Sequence, residues 1–157
     1  MGENARILIV DDDENIRKVL VAILEDEGYT VDSVGTARKA IEATKRKFYN
    51  VALIDIRLPD MDGTDLLLRI RDTVPRIRKI IITGYPTLQN AIDAVNRRAD
   101  AYIMKPFDVE KVLRTIKEQL QKQEEEKRYS QEKVAEFIET RVHELEPIKE
   151  IAHHENA

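Results

Sequence analysis

Short β-type runs alternate with stretches of helical periodicity along the first 120 residues. The runs are Ile7–Val10, Thr30–Val34, Val51–Ile54, Lys79–Ile82 and Ala101–Met104. The first, third and fourth read as continuous apolar runs, the pattern of strands covered on both faces. Between them lie stripes spaced by three and four: Ile16, Val19, Leu20, Ile23 and Leu24; Ala37, Ala40, Ile41 and Thr44; Leu66, Leu67 and Ile70. Two further stripes are Leu88, Ala91, Ile92 and Val95, and Val109, Val112, Leu113, Ile116 and Leu120. Each is preceded by a residue able to accept the first free amides of a helix: Asp13, Thr36, Thr64, Thr87 and Asp108. Five strands alternating with five helices predict a doubly wound α/β domain with a five-stranded parallel sheet over residues 5–121.

The pattern changes after Leu120. Residues 121–133 hold no aliphatic side chain but are rich in Lys, Glu and Gln, so they predict a solvated extension of the last helix. Amphipathicity returns with Val134, Phe137, Ile138, Val142 and Leu145, giving a helical tail over 122–146. Pro147 is expected to end it, and 147–157 to be disordered.

Charge separates the same two parts. Residues 1–120 carry equal numbers of cations and anions, and the net charge of −4 falls on the tail. Neither part has the cationic surface that nonspecific nucleic-acid binding needs, which disfavours direct DNA contact. With no cysteine, disulfides, thiolate metal sites and cysteine nucleophiles are excluded. The longest aliphatic runs fall far short of the ~18 residues of a membrane span. A cytoplasmic protein without membrane association is expected.

In parallel α/β sheets ligands sit beyond the carboxyl ends of the strands. Polar residues follow the predicted strands there: Asp11, Asp12 and Asp13 after the first, Asp55 after the third, Thr83 and Gly84 after the fourth, Lys105 and Pro106 after the fifth. Carboxylates converging on one edge repel one another unless a cation joins them. Oxygen-only ligands with open positions suit Mg²⁺ or Mn²⁺. A carboxylate held near such an ion can attack a phosphoryl group and become an acyl phosphate. The transferring phosphoryl needs positive charge and a hydroxyl donor around its oxygens, and the sequence offers Lys105 and Thr83.

The segments ILIVDDDENIR, VALIDIRLPDMDG, IITGYP and ADAYIMKPF, in that order, closely resemble the receiver domain of two-component response regulators. The resemblance implies the flavodoxin-like receiver fold, with Asp55 as phosphoacceptor. Asp11 and Asp12 would be the acidic pair at the metal, with the backbone carbonyl of Arg57 a further ligand. Thr83 and Lys105 would contact the phosphoryl oxygens, Tyr102 would be the aromatic switch residue, and Lys105–Pro106 would be a cis bond. The chain departs from the family pattern at Gly84, where Ala is common, and at Arg98, where Gly is common. The implied partners are a sensor histidine kinase or phosphotransfer protein and an unidentified downstream protein.

Bland roles compete for some of these residues. Asp13 and Glu14 suit a helix amino end, and Asp60 and Asp62 suit turn chemistry. His153 and His154 suit a solvated end. The favoured reading is a non-enzymatic, stand-alone receiver that signals through protein contacts. Its tail would associate, with a second copy as the favoured partner. Arg57 and Tyr85 would border the path of attacking water and tune phosphate lifetime. Two alternatives stay open: the amino-terminal part of a transcription regulator whose DNA-binding domain lies outside this chain, and a phosphatase of the haloacid-dehalogenase type. The phosphatase would use Asp11 as nucleophile, although Asn15 stands where that signature wants Thr or Val.

Overall fold

The computed structural model of the chain describes residues 5–84 and 87–155, with side chains as far as Glu144. The strands are β1 (Arg6–Val10), β2 (Thr30–Val34), β3 (Val51–Ile54), β4 (Arg78–Thr83) and β5 (Ala101–Met104). The helices are α1 (Glu14–Asp26), α2 (Ala37–Arg46), α3 (Gly63–Arg69), α4 (Leu88–Asn96) and α5 (Val109–Glu155). All strand pairs are parallel and the sheet order is β2-β1-β3-β4-β5.

Alternation along the strands divides the core into two layers. Leu8, Val10, Ala52, Ile54 and Ile81 pack with Ala37 and Ala40 of α2, Leu66 and Leu67 of α3, and Ala94 of α4. The intervening residues Ile7, Ile9, Val51, Leu53, Ile80 and Ile82 pack with Leu20 and Leu24 of α1 and with Val112 and Ile116 of α5. Helices therefore cover both faces, which is why the central strands carry no polar face.

Four expected caps hold. Asp13 accepts from the Asn15 and Ile16 amides, Thr36 from Lys39, Thr87 from Asn90, and Asp108 from Glu110. The fifth does not. The cap position of α3 is Asp62, and Thr64 is buried inside the helix. The helix starts early because the Gly63 amide is drawn onto the Ile56 carbonyl at 2.7 Å.

Residues 1–123 form one compact unit and 124–157 a second. Gln123 lies in the stretch expected to be solvated, yet it is only 3% exposed. Its amide nitrogen donates to the carbonyls of Asn50 and Arg76, and its oxygen accepts from the Asn50 side chain at 2.9 Å. These bonds give the Arg76 carbonyl a partner, and the Asn50 carbonyl a second one beside the Arg78 amide, at the amino-terminal edge of the sheet. In the second unit the described side chains from Glu125 to Glu144 are exposed. The backbone is helical through Pro147 to Glu155, where the sequence predicted an end and a disordered terminus. A proline costs a helix one hydrogen bond and a clash, which helical residues on both sides can absorb as a kink. The side chains of Leu145, His153 and His154 lie outside the described residues.

Candidate functional site

The chain leaves β1 toward β2 on one side, and the order continues through β3 on the other. The carboxyl ends of β1 and β3 therefore flank the topological switch point, where a crevice opens. Val10 is paired with Ile54, so the next residues, Asp11 and Asp55, emerge level with each other. Backbone bonds hold both: the Asp11 amide donates to Val34 at 3.1 Å and the Asp55 amide to Val10 at 2.9 Å.

Lys105 reaches this crevice from the end of β5. Its ammonium donates to Asp11 Oδ2 at 2.7 Å and to Asp55 Oδ2 at 3.0 Å. Its amide is held by the Thr83 carbonyl at 2.8 Å, and the Lys105–Pro106 bond is cis, as the resemblance implied. Asp11 is 1% exposed and Asp55 6%, so the two carboxylates and the ammonium form a largely buried triad. Asp11 Oδ1 accepts from the Asp13 amide, and Asp55 Oδ1 from the Arg57 amide at 3.3 Å.

Burial pushes the Asp55 carboxyl above its ordinary value. The Lys105 hydrogen bond and charge oppose this without cancelling it, and nearby Asp11 adds to the rise. For Lys105 burial acts downward, but the hydrogen bonds and charges of Asp11 and Asp55 prevail and raise it.

Asp12 is exposed beside the triad. Asp11, Asp12 and Asp55 each offer a carboxylate oxygen within 4.8 Å of the others, a group able to hold a metal ion. Three carboxylates against one ammonium leave two negative charges in excess, and the donors are all oxygen. That set fits a hard divalent cation. Thr83 is fully buried as the last residue of β4, opposite Met104. Tyr102, opposite Ile81, packs against the layer of α2, α3 and α4. Its hydroxyl is buried and has no hydrogen-bond partner among the described residues. Arg57 is exposed, and Tyr85 lies outside the described residues.

Other contacts around the site are not specified by the local sequence. The Arg17 guanidinium donates to the Asp11 carbonyl at 2.6 Å, bracing the end of β1 from the second turn of α1. A Cβ on Gly63 would lie 2.1 Å from the Asp55 carbonyl oxygen, so only glycine lets α3 begin this close to the end of β3. Arg57 and Asp62 form an antiparallel bridge that closes the loop between them. Asp60, in the bend where turn chemistry was expected, also bonds the Ala37 and Arg38 amides of α2. Arg98 has φ 67°, the left-handed conformation that explains why glycine is common there.

Among the described residues no helix is long and apolar enough to cross a membrane. Comparison with known proteins agrees with the geometry. The response regulator receiver domain family matches residues 7–117. The crystal structure of a CheY-like response regulator receiver domain protein from Methanospirillum hungatei JF-1 is 47% identical, with TM-score 0.75 over 78% of this chain and 98% of that one. The solution structure of the beryllofluoride-activated NtrC4 receiver domain dimer is 38% identical, with TM-score 0.70 over 75% of this chain and 98% of that one. The transcriptional regulatory protein ZraR of Klebsiella oxytoca is 35% identical over 119 residues, 76% of this chain and 27% of that protein. The chain spans between about a quarter and a half of the length of the curated relatives it matches. With the acidic crevice, the lysine at the end of β5 and the 2-1-3-4-5 sheet all in place, the chain belongs to the response regulator receiver domain family.

Proposed function

We propose that Asp55 accepts the phosphoryl group by which this receiver domain signals. Asp11, Asp12 and the Arg57 carbonyl, with Asp55 itself, would hold Mg²⁺ or Mn²⁺. The observation that carries the reading is the Lys105 ammonium set between two buried carboxylates at the switch point. The ammonium favours the ionised form of Asp55 against burial, and only that form is a nucleophile. An Asp55 oxygen forms the new bond to phosphorus as the phosphorus–nitrogen bond of a phosphohistidine donor breaks. The electron pair stays on the leaving imidazole, which takes up a proton. The bound divalent ion supplies charge that lets an anionic phosphoryl approach the carboxylates. Lys105 and the Thr83 hydroxyl would then hold its oxygens, and Tyr102, whose buried hydroxyl has no partner among the described residues, would follow Thr83.

The proposed donor is a sensor histidine kinase or phosphotransfer protein. Arg57 and Tyr85 would tune how long the phosphate survives. The tail would join two copies. Val134, Phe137, Ile138 and Val142 are each more than half exposed, and full burial would contribute about 1.5–3 kcal/mol apiece. A second reading, a receiver working with a DNA-binding domain in a longer chain, is favoured by relatives such as ZraR, named as transcriptional regulators and only partly spanned. The phosphatase reading is displaced by the family assignment.

The test is phosphate uptake from acetyl phosphate, read as intact mass. The parent should gain one phosphoryl with Mg²⁺ and none with chelator, and Asp55→Asn none in either. Undiminished uptake by Asp55→Asn would sink the assignment. For the tail, light scattering should give a dimer for the full chain and a monomer for one ending at Gln123; monomers in both would remove the self-association.

A further inference from the structure

Helix α2 begins badly by local rules. The first four amides of any helix lack partners within it. Here the Ala40 amide reaches the Thr36 carbonyl and the Lys39 amide the Thr36 hydroxyl at 3.1 Å. The Ala37 and Arg38 amides remain. The first turn has no acidic residue and instead carries Arg38 and Lys39, cations at the positive end of the helix dipole. What the helix lacks comes from across the domain. Asp60 Oδ1 accepts from the Ala37 amide at 2.9 Å and Oδ2 from the Arg38 amide at 2.8 Å. Both oxygens of one carboxylate thus complete the cap of a helix more than twenty positions earlier in the chain. The Arg38 amide does most to hold the Asp60 carboxyl below its ordinary value; burial opposes it, and the Ala37 amide adds to the lowering.

The other end of this link is the loop that leaves the acidic site. Its base is closed by the Arg57–Asp62 bridge and by the Gly63 amide on the Ile56 carbonyl. Asp60 stands at its tip, between Leu58 and Met61, which lean on the core layer. One leg of the loop carries Asp55 and Arg57, and the Arg57 amide already touches Asp55 Oδ1. Packing of two half-buried side chains resists a sideways shift weakly. Two charge-assisted hydrogen bonds to a helix end resist it in a defined direction.

We propose that Asp60 is a positioning residue for the acidic site, tying the tip of the β3–α3 loop to the first turn of α2 and so fixing Arg57 where its carbonyl completes the cation's ligands. The proposal rests on the reading that Arg57 is such a ligand. Outer partners that orient a ligand are worth appreciable metal affinity even though they never touch the ion. The link also acts in reverse, so the α2 amino end inherits the order of the phosphoacceptor loop.

The test uses the full chain and Mn²⁺, with free ion followed by electron paramagnetic resonance. Asp60→Ala should weaken Mn²⁺ binding by about tenfold, the lower end for lost outer-partner contacts. Asp60→Asn, which keeps one acceptor oxygen, should fall between Asp60→Ala and the parent. Thr36→Ala is the control. It removes the local cap of the same helix end, whose hydroxyl serves Lys39, and should leave Mn²⁺ affinity at the parental value. Amide hydrogen exchange supplies a reading without metal. Asp60→Ala should speed exchange at Leu58 and Met61 as well as at Ala37 and Arg38, whereas Thr36→Ala should speed it only in α2. Parental affinity in Asp60→Ala would overturn the proposal, even if exchange in the loop rises. So would an equal loss in Thr36→Ala, which would mark general loosening of α2. If the parent itself takes up no Mn²⁺, the metal reading fails, and the positioning role fails with it. Faster loop exchange in Asp60→Ala would then mark only a structural tie.

Discussion

Gly63→Ala puts one methyl group into the tightest place in the domain. That Cβ would sit 2.1 Å from the Asp55 carbonyl oxygen, 2.8 Å from its carbonyl carbon and 2.9 Å from the Ile56 Cα. All three are backbone atoms, so no side chain can swing aside. Relief requires about 1 Å of movement between α3 and the end of β3, which stretches the 2.7 Å bond from the Gly63 amide to Ile56 and the Arg57–Asp62 bridge. Overpacking of this kind costs about 1–3 kcal/mol and a lost backbone hydrogen bond about 0.5–1.5, so urea unfolding should show a loss of about 2–4 kcal/mol. The displaced atoms belong to Asp55, the proposed phosphoacceptor, and a 1 Å misplacement of a reacting group costs on the order of a hundredfold in rate. Initial rates of phosphate uptake from acetyl phosphate should fall accordingly. Gly84→Ala is the matched control: its Cβ would meet the Lys105 side chain at 3.7 Å, ordinary contact, and should leave stability and uptake near the parental values. A Gly63→Ala protein within 1 kcal/mol of the parent, phosphorylating at the parental rate, would refute the close-approach argument.

Three further expectations concern other parts of the domain. Arg98→Gly should raise stability by about 1 kcal/mol in urea unfolding, because a left-handed residue after α4 costs a side-chain-bearing residue that much; Gly28→Ala, at the corresponding position after α1 with φ 93°, should lose a similar amount. Tyr102→Phe should unfold at higher urea, with a gain of about 1 kcal/mol in the unphosphorylated chain, since it removes a buried hydroxyl without a partner; a loss would show that the hydroxyl is bonded. Asp100 takes the Arg76 guanidinium through both oxygens, at 2.7 and 3.0 Å, and the Lys79 amide at 2.8 Å. Burial raises its pKa, but Arg76, the Lys79 amide and Arg78 together hold the Asp100 carboxyl below its ordinary value. A depressed carboxyl stabilises the fold above its unfolded pKa and loses that contribution as pH falls through its folded one. Asp100→Asn should therefore cost about 3 kcal/mol at pH 7, with the gap to the parent closing below about pH 4.

The sheet was legible because its strands are short, apolar at β1 and β3 and largely so at β4, and separated by helices with periodic stripes. Their observed bounds differ from the expected ones by a residue at Arg6, Arg78 and Thr83. Asp11, Asp55 and Lys105 were legible because parallel strands put all their carboxyl ends on one edge, so position after a strand alone predicts convergence. What escaped depends on contacts between residues far apart in sequence. Nothing in LPDMDG announces that Asp60 serves α2, since the helix end that needs it lies in another segment and Thr36 already provides an ordinary cap. Gly63 reads as a turn residue, and its real constraint, the Asp55 carbonyl, appears only once α3 is docked. Gln123 looked solvated among Lys and Glu because its partners, Asn50 and Arg76, sit at the opposite edge of the sheet from the site. Pro147 and Thr64 show the limit of local punctuation, which marks where a helix can stop or start without fixing that it does.

The central claim is that one carboxylate, Asp55, carries the phosphoryl group. Borohydride trapping of the chain phosphorylated by acetyl phosphate with Mg²⁺, followed by tryptic mapping, tests it most directly. Cleavage separates the segment Phe48–Arg57, which holds Asp55, from Ile7–Arg17, which holds Asp11 and Asp12. The account predicts reduction of Asp55 alone, in Phe48–Arg57. A reduced residue in Ile7–Arg17, with Phe48–Arg57 unchanged, would contradict it.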